Sequence, residues 1–150
     1  MIDVDVEGSS SQRRSVLTAE AVIYFAYLLL GDDADNITVT VKYTDELDEA
    51  GCTIYHDDSD APIEFLIEIN PDNCDNIYRT IAHEMVHVKQ FYRGELTATI
   101  SLSSDGFTIR RTWMGTEWER LDHEDPYFDS PWEIEAHGRE VGMYFRWKQR

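Results

Sequence analysis

The chain has 150 residues, one domain's worth, and sets 13 Lys and Arg against 30 Asp and Glu for a formal charge of −17. With 42% hydrophobic residues it carries enough apolar material for a core, which argues against intrinsic disorder. The charge excludes a nucleic-acid backbone or an anionic membrane as the expected partner, because both demand a Lys/Arg surface.

Residues 1–14 read as a loose or strand-like lead-in without the apolar segment of a signal peptide, so a cytoplasmic location is expected. Ser15 is positioned to cap a helix that runs to Leu30 and stops at Gly31. Its apolar residues, Val22, Ile23, Phe25, Ala26, Leu28, Leu29 and Leu30, mark it as buried; the ten-residue apolar stretch 21–30 is too short to cross a bilayer. Three β-rich runs follow, at 37–43, 52–56 and 63–69, the first and third alternating cleanly. The acidic clusters at 45–49 and 57–60 between them lack the Asp-x-Asp-x-Asp-Gly pattern of a calcium loop and read as solvated turns. Asn70-Pro71-Asp72-Asn73 breaks the strand, and Asp75 or Asn76 can cap a helix over 77–92 that Gly94 ends. Runs at 96–102 and 107–113 flank Ser103-Ser104-Asp105-Gly106, a hairpin signal. A polar, aromatic-rich connection leads to a last helix that starts at Pro131 and runs to about Lys148. Helices and strands do not alternate regularly, so the expected class is α+β in a single domain over 1–150. Cys52 and Cys74 form no CxxC, and two thiols make no disulfide framework, which fits a reducing compartment.

Residues 83–87 read His83-Glu84-Met85-Val86-His87, an H-E-x-x-H. On a helix, positions i and i+4 stand one turn apart on one face, so two imidazoles can grip a single divalent ion. The Glu beside the first His reaches the same place without being forced to bind, and can take a proton from water activated there. Ile77, Ile81, Met85 and Val88 form one apolar stripe of this helix; Thr80, His83, Glu84, His87 and Phe91 form the adjoining one. Polar groups on an inward face are costly without a partner, and a metal is such a partner.

A hydrolytic zinc site takes three protein ligands and leaves one position open. The longer pattern H-E-x-x-H-x-x-G-x-x-H fails here, because position 90 is Gln and position 93 is Arg. The third ligand is therefore sought on the last helix. A wheel centred on Glu133 places Ile134, Val141 and Phe145 on one side and Ala136, Met143 and Trp147 on the other, while Glu135 and Arg139 fall toward solvent. Glu133 is the preferred ligand, with His137, Glu140, His123 and Glu135 as alternatives in that order. His137 and Glu140, one turn on, are candidates to orient the ligands, and His137 also to stabilise a developing oxyanion. Tyr127, just before the helix, is a candidate phenolic donor to a tetrahedral intermediate, in competition with Tyr92, Tyr144 and His123.

A strand, a helix with His83-Glu84-x-x-His87, and a later helix with Glu133 in an E-x-E-A context resemble the gluzincin branch of zincin metallopeptidases. In that branch the later helix carries E-x-x-x-D; Glu133 matches its Glu, and His137 stands at the Asp position. The Pro-Trp-Glu-x-Glu-Ala run and small size are similar to compact, often phage-encoded zincin-like proteins. The resemblance implies a zincin-like fold, a small mixed or antiparallel sheet packed on the N-terminal and H-E-x-x-H helices. It also implies one Zn²⁺ on His83, His87 and Glu133, with peptide-bond hydrolysis using Glu84 as general base. It further implies that substrate runs along a sheet edge, for which 63–69 is the candidate strand. The expected partner is a peptide or protein substrate, basic if the remaining acids line the cleft. Two other readings stand beside this one: a catalytically silent zincin-fold binding or regulatory protein, and an acidic inhibitor that mimics nucleic acid.

Overall fold

The computed structural model describes residues 1–55, 61–118 and 129–150. Strand β1 (Asp3–Glu7) is followed by helix α1 (Gln12–Leu30), strands β2 (Thr38–Tyr43), β3 (Gly51–Tyr55) and β4 (Glu64–Ile69), and helix α2 (Ile77–Tyr92). Strands β5 (Leu96–Ser103), β6 (Gly106–Trp113) and β7 (Thr116–Glu117) precede helix α3 (Pro131–Lys148). The architecture is α+β with two sheets.

The first sheet has the order β1-β2-β4-β3. The β1–β2 and β2–β4 pairs are parallel and β3 joins β4 antiparallel, so the sheet is mixed. Two expectations change here. The lead-in contains a paired strand, β1. The 63–69 segment is a central strand rather than an edge, because β3 covers its free side. The edge next to α2 is β3.

Alternation decides which face each strand buries. Val39, Val41, Phe65, Ile67 and Ile69 point toward the helices and are buried, with Ala21, Val22, Phe25 and Ala26 of α1 and Ile81, Met85 and Val88 of α2. The register places Gly51, Thr53 and Tyr55 of β3 opposite Ile69, Ile67 and Phe65, and so on the helix side as well. The other face of the sheet is mostly polar, with Thr38, Thr40, Lys42, Glu64 and Glu68 around Leu66 and Ile54.

Helix α1 begins earlier than its sequence suggests. Ser11, not Ser15, is the cap, and its hydroxyl accepts from the Arg14 N–H at 3.2 Å. The helix and the 3-10 turn after it span Gln12–Asn36, long and apolar enough to cross a membrane, unlike the ten-residue stretch taken alone. Here Ala21, Val22, Phe25 and Ala26 lie in the core. Helix α2 starts at Asn76, whose side chain accepts from the N–H groups of Tyr78 and Arg79 at 3.1 Å each. Helix α3 starts at Pro131, as its fixed φ favours.

One part of the helical wheel is corrected. Helix α3 buries Trp132, Glu133, Ala136, Met143 and Trp147, whereas Ile134, Val141 and Phe145 are 55%, 43% and 53% exposed. Only one flank of Glu133 meets α2, so Glu133 lies toward one edge of the inward arc rather than at its middle.

Candidate metal centre

Helix α2 carries His83, Glu84 and His87 inward, and the first turn of α3 brings Glu133 against them; all four are buried. His83 Nε2 lies 3.2 Å from His87 Nε2 and 3.1 Å from Glu133 Oε2, and His87 Nε2 lies 3.2 Å from Glu133 Oε1. A tetrahedral ion with bonds of 2.0–2.1 Å sets its ligand atoms about 3.3–3.4 Å apart. The spacing of the two nitrogens, and of each from its own oxygen of Glu133, is therefore close to the edge of a zinc tetrahedron.

The hydrogen bonds behind the rings decide what those atoms offer. His83 Nδ1 faces Glu140 Oε2 at 2.8 Å, a pure acceptor, so Nδ1–H donates to it. His87 Nδ1 faces Gln90 Oε1 at 2.8 Å. The Gln90 amide is oriented by its other end, where Nε2–H donates to the Trp132 carbonyl and to Glu135 Oε1, both at 2.9 Å. His87 Nδ1–H is thus the donor there too. In the neutral rings both Nε2 lone pairs then converge on the point that the Glu133 carboxylate faces. Glu133 Oε2 is buried and accepts no hydrogen bond of good geometry despite its nearness to His83. Three converging electron-pair donors with an orphaned carboxylate oxygen could hold a cation, and one carboxylate with two imidazoles is a donor set that suits zinc.

The electrostatics agree. Burial alone would depress the His83 imidazole, but Glu133 and Glu140 outweigh it and raise its pKa to about 10. His87 is also raised, burial being outweighed by Glu133 and Glu84. Burial would raise the Glu133 carboxyl, yet His83 and His87 hold it down at about 2. The pocket stabilises positive charge wherever the three donors meet.

Glu84 has a different setting. Burial pushes its carboxyl upward, with His87 and His83 opposing. The Thr53 hydroxyl, on β3, donates to Glu84 Oε2 at 2.6 Å. A Cβ at position 51 would stand 2.8 Å from Glu84 Oε1 and 2.9 Å from Thr80 Cγ2, so the edge strand passes this close only because residue 51 is Gly. One oxygen of Glu84 is committed to Thr53; the other lies beside the bare backbone of Gly51.

His137 sits next to this cluster rather than in it. Its ring lies against that of His83, tilted by 58° with centroids 4.5 Å apart, its Nε2 is 3.8 Å from Glu133 Oε2, and its Nδ1 is 3.5 Å from Glu140 Oε2. His83, Glu133 and His137 offer ligand atoms within 4.8 Å of one another, a second grouping that fits a metal. The His83, His87 and Glu133 set is tighter, with neighbouring ligand atoms at 3.1–3.2 Å, and could hold a metal as well. The carboxylate that orients His83 is Glu140, steadied by Arg79 Nε at 3.5 Å, and not a residue at position 137. Glu135 is partly covered and pairs with Lys89 at 2.9 Å. His123 and Tyr127 lie outside the described residues, as does the acidic run 57–60. Cys52 and Cys74 are free thiols.

Two contributors were not found from the sequence, Gln90 and the Gly51/Thr53 pair. Gln90 carried a signal: it stands three residues after His87, on the same side of the helix, and is polar there. The Gly51/Thr53 pair carried none, because the partner of β3 is set by long-range strand pairing.

Compared with protein-family models, with curated proteins and with solved structures, the chain matches none of them.

Proposed function

We propose that this protein is a small zinc-dependent metallopeptidase of zincin-like fold, with His83, His87 and Glu133 as ligands and Glu84 as general base. The observation that carries the reading is the spacing of 3.1–3.2 Å between the two Nε2 atoms and from each to its own oxygen of Glu133, with both Nδ1 atoms already engaged as donors. A mixed sheet with an antiparallel edge strand beside the H-E-x-x-H helix, and a following helix that delivers a glutamate, supports the zincin-like layout.

Zinc held by these residues supplies a Lewis acid for the scissile carbonyl and makes nearby water more acidic. The chain's own residues do the rest. Glu84, with Oε2 tied to Thr53, takes a proton from the attacking water and later delivers it to the leaving amine. His137, beside the cluster and half-exposed, donates to the oxygen that gains negative charge. The edge strand β3, not β4, is the strand along which an extended peptide lies.

The test is hydrolysis of fluorescein-labelled casein by zinc-loaded protein, wild type against Glu84→Gln. Cleavage by the wild type, abolished in a Glu84→Gln protein that keeps its zinc, is the expected result. Full activity in Glu84→Gln overturns the assignment. The proximity of His137 supports one further reading, a closed site in which His137 joins the ligands and the protein binds rather than cleaves. Zinc-loaded wild type without hydrolysis favours that reading.

A further inference from the structure

Gln90 is fully buried, at 0% exposure, in the seam between α2 and α3. A buried primary amide carries two donor hydrogens and an acceptor oxygen that must be matched. Here each of the three contacts has a consequence for the metal centre. Oε1 receives the His87 Nδ1–H at 2.8 Å, which selects the tautomer whose Nε2 lone pair faces Glu133. Nε2 reaches the carbonyl of Trp132, the residue before Glu133, at 2.9 Å. Nε2 also reaches Glu135 Oε1, two residues after Glu133, at 2.9 Å. One side chain therefore holds a ligand on α2 and brackets the ligand on α3.

We propose that Gln90 is a positioning residue for the metal centre, which sets the orientation of His87 and the placement of Glu133 together. The proposal rests on the zinc-site reading above and deepens it. Its neighbour Lys89 provides an internal comparison. Lys89 also joins α2 to α3 through Glu135 at 2.9 Å, and reaches Glu95 at 2.7 Å, but its ammonium pairs with no ligand. If docking of the two helices were all that mattered, loss of either residue would act alike on the metal.

The experiment measures zinc affinity by competition with a chromophoric chelator. It uses full-length wild type, Gln90→Met, Gln90→Glu, Lys89→Met and Glu133→Ala, at a temperature where circular dichroism shows each to be folded. Gln90→Met removes all three contacts at similar volume. Gln90→Glu keeps the acceptor for His87 but places a second acceptor against the Trp132 carbonyl and Glu135, and so serves if the Met variant does not fold. The expected result is a 10–100-fold weaker zinc affinity in the Gln90 variants. Lys89→Met should lower the thermal midpoint and leave zinc affinity unchanged. Visible spectra of the cobalt-loaded proteins should change for Gln90→Met and not for Lys89→Met. Wild-type affinity in the Gln90 variants, or equal weakening by Lys89→Met, overturns the inference and leaves the zinc site standing. A wild type that binds no zinc overturns both.

Discussion

The two sides of helix α2 differ sharply. Toward the sheet, Ile81, Met85 and Val88 are fully buried against Phe25, Ile67 and Ile69, with apolar atoms on both sides of the contact. Toward α3, the same helix buries His83, His87, Lys89 and Gln90, α3 adds Glu133, and Glu84 is buried next to them against β3. The first side is an ordinary core that stabilises the fold by removing apolar surface from water. The second gathers ionisable groups in a place where each one costs stability unless it is paired. Lys89 is paired with Glu95 and Glu135, and Gln90 uses both ends of its amide, whereas His83, His87 and Glu133 converge on a point where a cation could be held.

Four changes break or sharpen that contrast. The largest effect is expected on the polar side, where Glu84→Gln should lower any hydrolytic rate by about 10²–10⁴-fold and leave the thermal midpoint near that of wild type, as measured by casein turnover and calorimetry. On the apolar side, Phe25→Ala should cost about 3–5 kcal/mol in urea unfolding while the folded fraction keeps its zinc affinity.

The third change is pH, applied to protein stripped of metal. The pKa of His83 is raised in the folded state to about 10 from about 6.5. Its contribution to stability is therefore complete below pH 6.5 and is lost as pH rises through about 10. The thermal midpoint of stripped protein should fall across that window, and the fall should shrink in Glu140→Gln, which removes one of the two carboxylates responsible. Zinc competes with protons for the same lone pairs, so zinc affinity should weaken as pH falls over the range where the histidines protonate. The smallest effect is expected on the outer face of α3. Ile134→Ser and Val141→Ser should each change stability by less than about 0.5 kcal/mol, because both side chains are already exposed.

Local signals carried much of this structure. Helix α2 and its buried His/Glu stripe follow from periodicity, and the cap at Asn76 and the start of α3 at Pro131 follow from backbone chemistry. The hairpin of β5 and β6 follows from its turn residues, with Gly106 at a positive φ closing the two-residue turn Ser104-Asp105. Glu133 was legible because a carboxylate between apolar neighbours needs a reason. Its neighbours were misjudged for the same cause: Val141 and Phe145 are apolar, yet no element among the described residues covers that flank of α3. The position of β3 at the sheet edge was not legible, since nothing in residues 51–55 tells which strand they pair with. The Thr53 to Glu84 contact, which depends on that pairing, was hidden with it. Gln90 appeared in the sequence only as a failure of a longer metal-binding pattern. In the structure it is the residue that joins the two ligand helices.

In the proposed site, α2 and α3 meet around one metal ion held by His83, His87 and Glu133. Elemental analysis of purified, zinc-exchanged protein tests it most directly, with wild type beside Glu133→Ala. One zinc per chain in the wild type and its loss in Glu133→Ala are the expected results. A wild type without zinc, or a Glu133→Ala protein that retains zinc with wild-type affinity, contradicts it.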